Sequence, residues 1–559
     1  MRARQERMRC RTPKDAAPLA RAVGLALALG MAAMAQGLRT APIEHWGDVT
    51  TRVSVDSAGV QANDASYTES AQVISGDGRY ITFDSGASNL VPGDTNGAAD
   101  VFVHDRLTGE TRRASVDSWG GQGDHASSCP AISADGRCVA FSSYATNLVP
   151  GDGNGQHDVF VHDLESGETS LVSVDSNGMQ ADRASVRPTI SADGRYVAFS
   201  SYATNLVPGD TNYCCDAFVH DRMTGETIRV SVSSSGQQGD LDTGIFYASI
   251  SGDGRYVAFP SLATNLVSGD TNGRSDIFVH DLQTHETTRV SVSSSGAEAD
   301  QGSTSTSISG DGRHVAFASG ATNLVPGDTN DWTDVFVHDR LTGQTTRASL
   351  SWTGTETDHS ATQPAISADG RYVTFIGYNL APERSHGWDT FVHDRLTLET
   401  TCASPSYVDV FPNYSSDYYP SISADGRCVA FETVGTGLVP GDTYRDYEVF
   451  VRSQQLTLDT DPAVVAPGQT LVLTVYKGCV YNPASIWVVA VNGAPTLWPV
   501  AIGKFAGNGN FAVSGVVPPG LSGQSIALRG YGFGMTYRGN VKGTRAPLAQ
   551  TNDVTVSFK

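Results

Sequence analysis

Five segments place an aspartate, an asparagine and a second aspartate at similar spacing around glycine: Asp94, Asn96 and Asp100; Asp152, Asn154 and Asp158; Asp210, Asn212 and Asp216; Asp270, Asn272 and Asp276; Asp328, Asn330 and Asp334. Alternating carboxylate and amide oxygens about a glycine turn are what a hard cation such as Ca²⁺ selects. The same residues are also standard turn formers, whose side chains bond nearby backbone. The spacing is shorter than that of an EF-hand loop and lacks its closing glutamate. A further acid recurs ahead of each segment, at Asp64, Asp124, Asp182, Asp240 and Asp300, and Asp358 holds the same place ahead of a sixth, divergent copy. If these approach the loops, the oxygen count rises toward Ca²⁺ coordination; if not, the loops read as ordinary turns.

The sixth copy breaks the pattern. NLVPGDTNG becomes NLAPERSHG, bringing Glu383, Arg384 and His386, with Trp388 and Asp389 beside them. The next loop, PSYVDVFPNYSSDYYP, adds Tyr407, Phe411, Tyr414, Tyr418 and Tyr419. Rings beside acids and an arginine on an exposed loop suit recognition of a glycan or peptide. The plainer use of those rings is to pack the loop onto the body of the fold. A glycan lyase or hydrolase using Glu383, Arg384 and His386 is the rival reading, and it requires the three to share one cleft. The chain has no G-x-S-x-G, H-E-x-x-H or P-loop, so binding is favoured over catalysis.

These loops need a scaffold that repeats. The phrase S-[AG]-D-G-R recurs with its aspartate at 77, 135, 193, 253, 311, 369 and 425. Each unit holds four short β-rich segments, here named A (AIS), B (RYVAF), C (DVFVHD) and D (TTRVSV), with turn residues between them. Four strands per unit is the blade of a β-propeller, and seven units predict seven blades. The first D segment, at 50–55, precedes any A segment, and the last unit has no D of its own. The N-terminal segment is therefore expected to complete the blade begun at Pro420 and close the ring.

S-A-D-G-R-Y-V-A-F followed by D-V-F-V-H-D-R-x-T-G resembles the WD40-like (PD40) repeat of TolB-type propellers, over about 50–453. That resemblance implies a propeller in a family of periplasmic scaffolds, peptidase gates and a few lyases. The long B–C loop departs from the family. His104, His162, His220, His280, His338 and His393 fall at one position of strand C, so the ring would spread them apart; a structural role is expected. The S-x-D-G turn is explained as a hairpin with glycine at positive φ.

At 456–559 the composition changes and short alternating segments predict an Ig-like β-sandwich. The propeller is assigned to 46–455. Residues 1–35 read as a signal peptide with an A-x-A site at Ala33–Ala35, so the protein is expected to be exported, periplasmic or secreted. The net charge of −21 becomes still more negative once the arginine-rich leader is removed. Such a polyanion disfavours nucleic acid and anionic membranes and leaves a protein or glycan as partner. No later stretch is long and apolar enough for a membrane span. Seven cysteines remain after cleavage, so at least one thiol lacks an intramolecular partner.

Overall fold

The computed structural model describes residues 49–243, 248–378, 380–381, 388–404, 418–434, 438–439 and 446–453, and, as backbone only, the strands beyond them. It contains seven four-stranded antiparallel sheets arranged as the blades of one propeller. In blade one the strands are Ser66–Tyr67, Tyr80–Ser85, Asp100–Asp105 and Glu110–Arg113, in the order A to D. Strand C is buried along its whole length, and only the first residue of strand B is partly exposed. Phe83 and Phe102 face one another across these strands with ring centroids 5.9 Å apart, and the same pair recurs in every blade. The apolar clusters run between blades: Val101, Val103 and Ala114 of blade one join Ile132, Val139 and Phe141 of blade two. Fully burying one such phenylalanine contributes about 1.5–3 kcal/mol, so the repeated core carries most of the stability.

Closure follows the expected route. Blade seven takes Tyr418–Ile422, Cys428–Thr433 and Glu448–Ser453 from the last repeat, and Val49–Arg52 supplies its outer strand. The register runs from Val49 opposite Ser453 to Arg52 opposite Phe450, and the Val53 N–H donates to the Val449 carbonyl at 2.9 Å.

The A–B turn explains its motif residue by residue. The Ser75 hydroxyl and the Arg79 N–H both donate to Asp77 (2.8 and 3.0 Å), and Arg79 forks onto Asp105 at 2.8 and 2.6 Å. Gly78 has φ of 72°, and a Cβ there would stand 2.6 Å from Cys428 Sγ of blade seven. Glycine is required both by the turn and by this close approach.

The strand C histidines are structural. His104 Nδ1 lies 2.9 Å from the Thr111 hydroxyl, which donates to the Val55 carbonyl of the preceding D segment at 2.5 Å. With that hydroxyl proton committed, Nδ1–H must be the donor to Thr111. Equivalent links start at His162, His220, His280, His338 and His393 and stitch each blade to the one before it. Burial pushes His104, His280 and His393 down to about 4, so these imidazoles are neutral at physiological pH.

At the A–B end the axis is ringed by small residues. The Gly76 N–H donates to Ala134, Ala192 to Gly252, Gly310 to Ala368 and Ala368 to Ala424, at 2.9 to 3.1 Å. Gln72 of blade one exchanges two hydrogen bonds with Ile190 of blade three, at 2.6 and 2.9 Å.

The C-terminal strands form two further sheets. One holds Leu458–Asp461, Thr470–Val475 and Phe511–Val516; the other is built on Pro483–Val491, Ala494–Lys504, Ser525–Gly532 and Val554–Phe558. The region is all-β, while the side chains that would pack a sandwich lie outside the described residues, as does the leader at 1–35. Among the described residues no helix is long and apolar enough to cross a membrane.

Candidate functional site

The B–C and D–A loops leave the blades on one face. There the Asn96 amide behaves as a turn former: its oxygen accepts from the Ala98 N–H and its nitrogen donates to the Gly123 carbonyl, both at 3.0 Å. Asp94 and Asp100 meet Arg113 of strand D, each at 3.1 Å, and Gln122 donates to both. Arg229 takes the same place beside Asp210 and Asp216 at 3.5 and 3.3 Å. Arg289 does so beside Asp270, Asp276 and Glu298, and Arg347 lies 3.0, 3.6 and 2.7 Å from Asp328, Asp334 and Glu356. In these four blades the cation among the loop acids is the chain's own guanidinium.

Blade two is the exception. Leu171 stands opposite Phe160 where Arg113 stands opposite Phe102. Asp152 and Asp158 instead share the neutral Gln180, at 2.7 and 2.8 Å. Burial pushes the Asp158 carboxyl up to about 6.

The acids ahead of the loops do approach them, but at a different point. Asp124 accepts from both the N–H and the hydroxyl of Thr146 at 2.8 Å, and Asp182, Asp240 and Asp300 clasp Thr204, Thr264 and Thr322 alike. In blade one this position belongs to Asn63, which accepts from the Ser88 N–H at 2.9 Å, and not to Asp64. Their oxygens go to loop backbone and hydroxyls. Among the described residues, one group of three acids could hold a metal ion: Asp270, Asp276 and Glu298, whose ligand atoms lie within 4.8 Å of one another. Oδ1 of Asp270 is buried there without a hydrogen-bond partner.

The irregular sector divides. Glu383, Arg384, His386, Tyr407, Phe411 and Tyr414 lie outside the described residues, and Tyr418 is described only as strand backbone. Trp388 meets the edge of Tyr378 at 6.2 Å; Tyr378 stacks on His359 at 4.3 Å, and His359 on Trp332 at 6.1 Å. Tyr419 belongs elsewhere, on the A strand of blade seven, where its N–H donates to Gln363 Oε1 at 3.1 Å.

That strand leads to a site that the sequence motifs do not mark. Near the start of strand A, six blades each hold one non-glycine residue at positive φ: Glu69, Cys129, Arg187, Ser305, Gln363 and Tyr419. Left-handed backbone at non-glycine residues is strained, and such residues cluster at functional sites. Beside this ring, Asp84 and Glu432 close strand B of blades one and seven, at a position held by Ser142, Ser200, Pro260, Ala318 and Ile376 in the others. Thr68 donates through its N–H and hydroxyl to Glu432 Oε2, and the Cys129 thiol donates to Glu69 Oε2 at 3.3 Å. Burial, then Glu69 and Glu432, pushes the Asp84 carboxyl well above the usual carboxylate range. Burial, then Glu69 and Asp84, raises the Cys129 thiol out of reactive range. The usable signal is the residue after the strand B phenylalanine: two acids in a motif otherwise filled by small or apolar residues.

No family model matches the chain, and no curated protein matches it. Solved structures similar to it include an oligogalacturonate lyase from Vibrio parahaemolyticus, at 13% identity over 72% of this chain and 93% of that one, with a TM-score of 0.42. A putative TolB from Agrobacterium tumefaciens is 14% identical over 62% and 94%, with a TM-score of 0.34. A prolyl endopeptidase is 13% identical over 83% and 60%, with a TM-score of 0.41. Likeness at this level carries no argument about this chain. The blade count and the closure come from the chain's own strand pairing, which is that of a seven-bladed β-propeller.

Proposed function

We propose that the chain is an exported, non-enzymatic propeller that binds a protein or a glycan on its long-loop face. The supporting observation is the set of rings left in solvent on the D–A and B–C loops or at their edges: Trp119 (83% exposed), Tyr144, Tyr213, Trp332 and Trp352 (57%). Exposed rings above a platform whose own charges are paired supply apolar contact and orientation without chemistry. The repeated histidines, arginines and aspartates are consumed in stitching the blades, which leaves the non-repeated residues to select a partner. Export rests on the arginine-rich start and the A-x-A site.

Screening the mature protein against a glycan array and a displayed peptide library should yield ligands. Their affinity should fall about tenfold or more in a W119A/Y213A/W352A variant that melts like the wild type. Undiminished binding would overturn the placement, and turnover of a bound glycan would replace it with the lyase or hydrolase reading.

Calcium enters the proposal at blade four, where Asp270, Asp276 and Glu298 offer the hard oxygen donors that Ca²⁺ takes. A Ca²⁺-specific rise in melting temperature, absent with Mg²⁺, reversed by EDTA and lost in E298Q, is the expected result. No shift at millimolar Ca²⁺ leaves Arg289 as the resident cation.

A further inference from the structure

We propose that the axial mouth on the long-loop face, formed by Glu69, Asp84 and Glu432, is a subsite for a basic side chain of a protein partner, a guanidinium or ammonium group. This rests on the binding reading above and names the chemistry of its deepest contact.

Asp84 is 4% exposed, and its Oδ1 has no hydrogen-bond partner. A buried unpaired carboxylate oxygen costs folding free energy and calls for a counter-charge or a donor. Glu432, 2% exposed, and the half-buried Glu69 lie close enough to raise the Asp84 carboxyl by their own charge. Arg187 reaches the same neighbourhood from blade three, where its charge acts on Cys129 and Tyr419.

Closure uses Glu432 as the acceptor for the Thr68 N–H and hydroxyl, but it does not require an acid at position 84. Position 84 can serve as an acceptor for the next blade's strand A, but in blade two the Ser142 hydroxyl does this, taking the Arg187 N–H at 3.0 Å. Blades five and six carry Ala318 and Ile376 there and form complete sheets. Asp84 exceeds what closure needs, and it sits near Glu432 where blades one and seven adjoin. Tyr67, raised to about 12 by burial and then by Asp446 and Glu432, keeps its proton and presents a neutral ring beside them. A cation there gains both carboxylate and ring contacts. The strongly negative chain favours the approach of a basic partner.

The test is thermal denaturation of the mature protein at pH 7.5 with arginine amide, against citrulline amide, its neutral isostere. Arginine amide should raise the melting temperature in a saturable way, and citrulline amide should not. The rise should disappear in D84N and in E69Q, and persist in E298Q, whose acid lies on blade four. Equal shifts with both amides, or a full shift retained in D84N and E69Q, would overturn the subsite. Because Glu69 is half-buried, E69Q keeps the test decisive if D84N fails to fold. Loss of glycan or peptide binding in the Trp119/Tyr213/Trp352 variant is read separately, so the two proposals can fail independently.

Discussion

A chain that begins at Ser54 should melt roughly 10 °C below one that begins at Gln36, or should not fold at all. Without Val49–Arg52 the seventh blade has three strands, and Glu448–Ser453 is left as an open edge. Each lost ladder hydrogen bond costs about 1 kcal/mol. The greater loss is electrostatic: Glu448 is buried, and its partners include Arg52 at 2.9 Å and Gln61 at 2.7 Å. Removing the arginine from a buried pair costs about 3–5 kcal/mol. Scanning calorimetry of the two chains checks this, and a truncated chain with an unchanged melting temperature would show that the ring does not depend on its N-terminal latch.

Replacing Arg347 with methionine should destabilise the propeller by about 3–5 kcal/mol at pH 7.5, because Asp328, Asp334 and Glu356 lose their shared cation. The dependence on pH has a definite sign. Burial already holds Asp334 at about 6, whereas Glu356 is drawn down to about 2, first by its hydrogen bond to Arg347. In the variant every one of these carboxyls titrates higher. A raised carboxyl favours the folded state while protonated, and that advantage is lost as pH climbs from the unfolded value near 4 through the folded one. The gap between variant and wild type should therefore be widest at pH 8 and narrow toward pH 5. The converse change, L171R, supplies blade two with its missing guanidinium. It should stabilise by about 1 kcal/mol, the gain at Asp152 and Asp158 being offset in part by the apolar contacts of Leu171. Urea denaturation across pH reads both variants, and an R347M penalty that does not change with pH would exclude the charge explanation.

The fold is legible in the sequence because its determinants are local and repeated. S-x-D-G-R fixes one turn, strands B and C bury facing phenylalanines, and seven copies leave a spare D segment before the first repeat and none in the last. Counting strands is enough to find the latch. The loops are harder, since Asp94, Asn96 and Asp100 have the composition of a cation site while the residue that neutralises them, Arg113, lies in another strand of the same repeat, where nothing local marks it as their partner. The mouth is hidden for a different reason. Asp84 and Glu432 are 348 positions apart and become neighbours only when blade seven closes on blade one. In a linear reading, a single changed letter after a recurrent phenylalanine carries far less weight than the conspicuous rewriting of a whole loop in repeat six.

The ring of Gly76, Ala134, Ala192, Gly252, Gly310, Ala368 and Ala424, with Gln72 strung from blade one to blade three, narrows the axis at the A–B end. A ligand that reaches Asp84 is then expected to leave by the rim it entered. Such a mouth suits a terminus, a branch or a protruding side chain, sampled one contact at a time, better than a polymer threaded through and processed along its length.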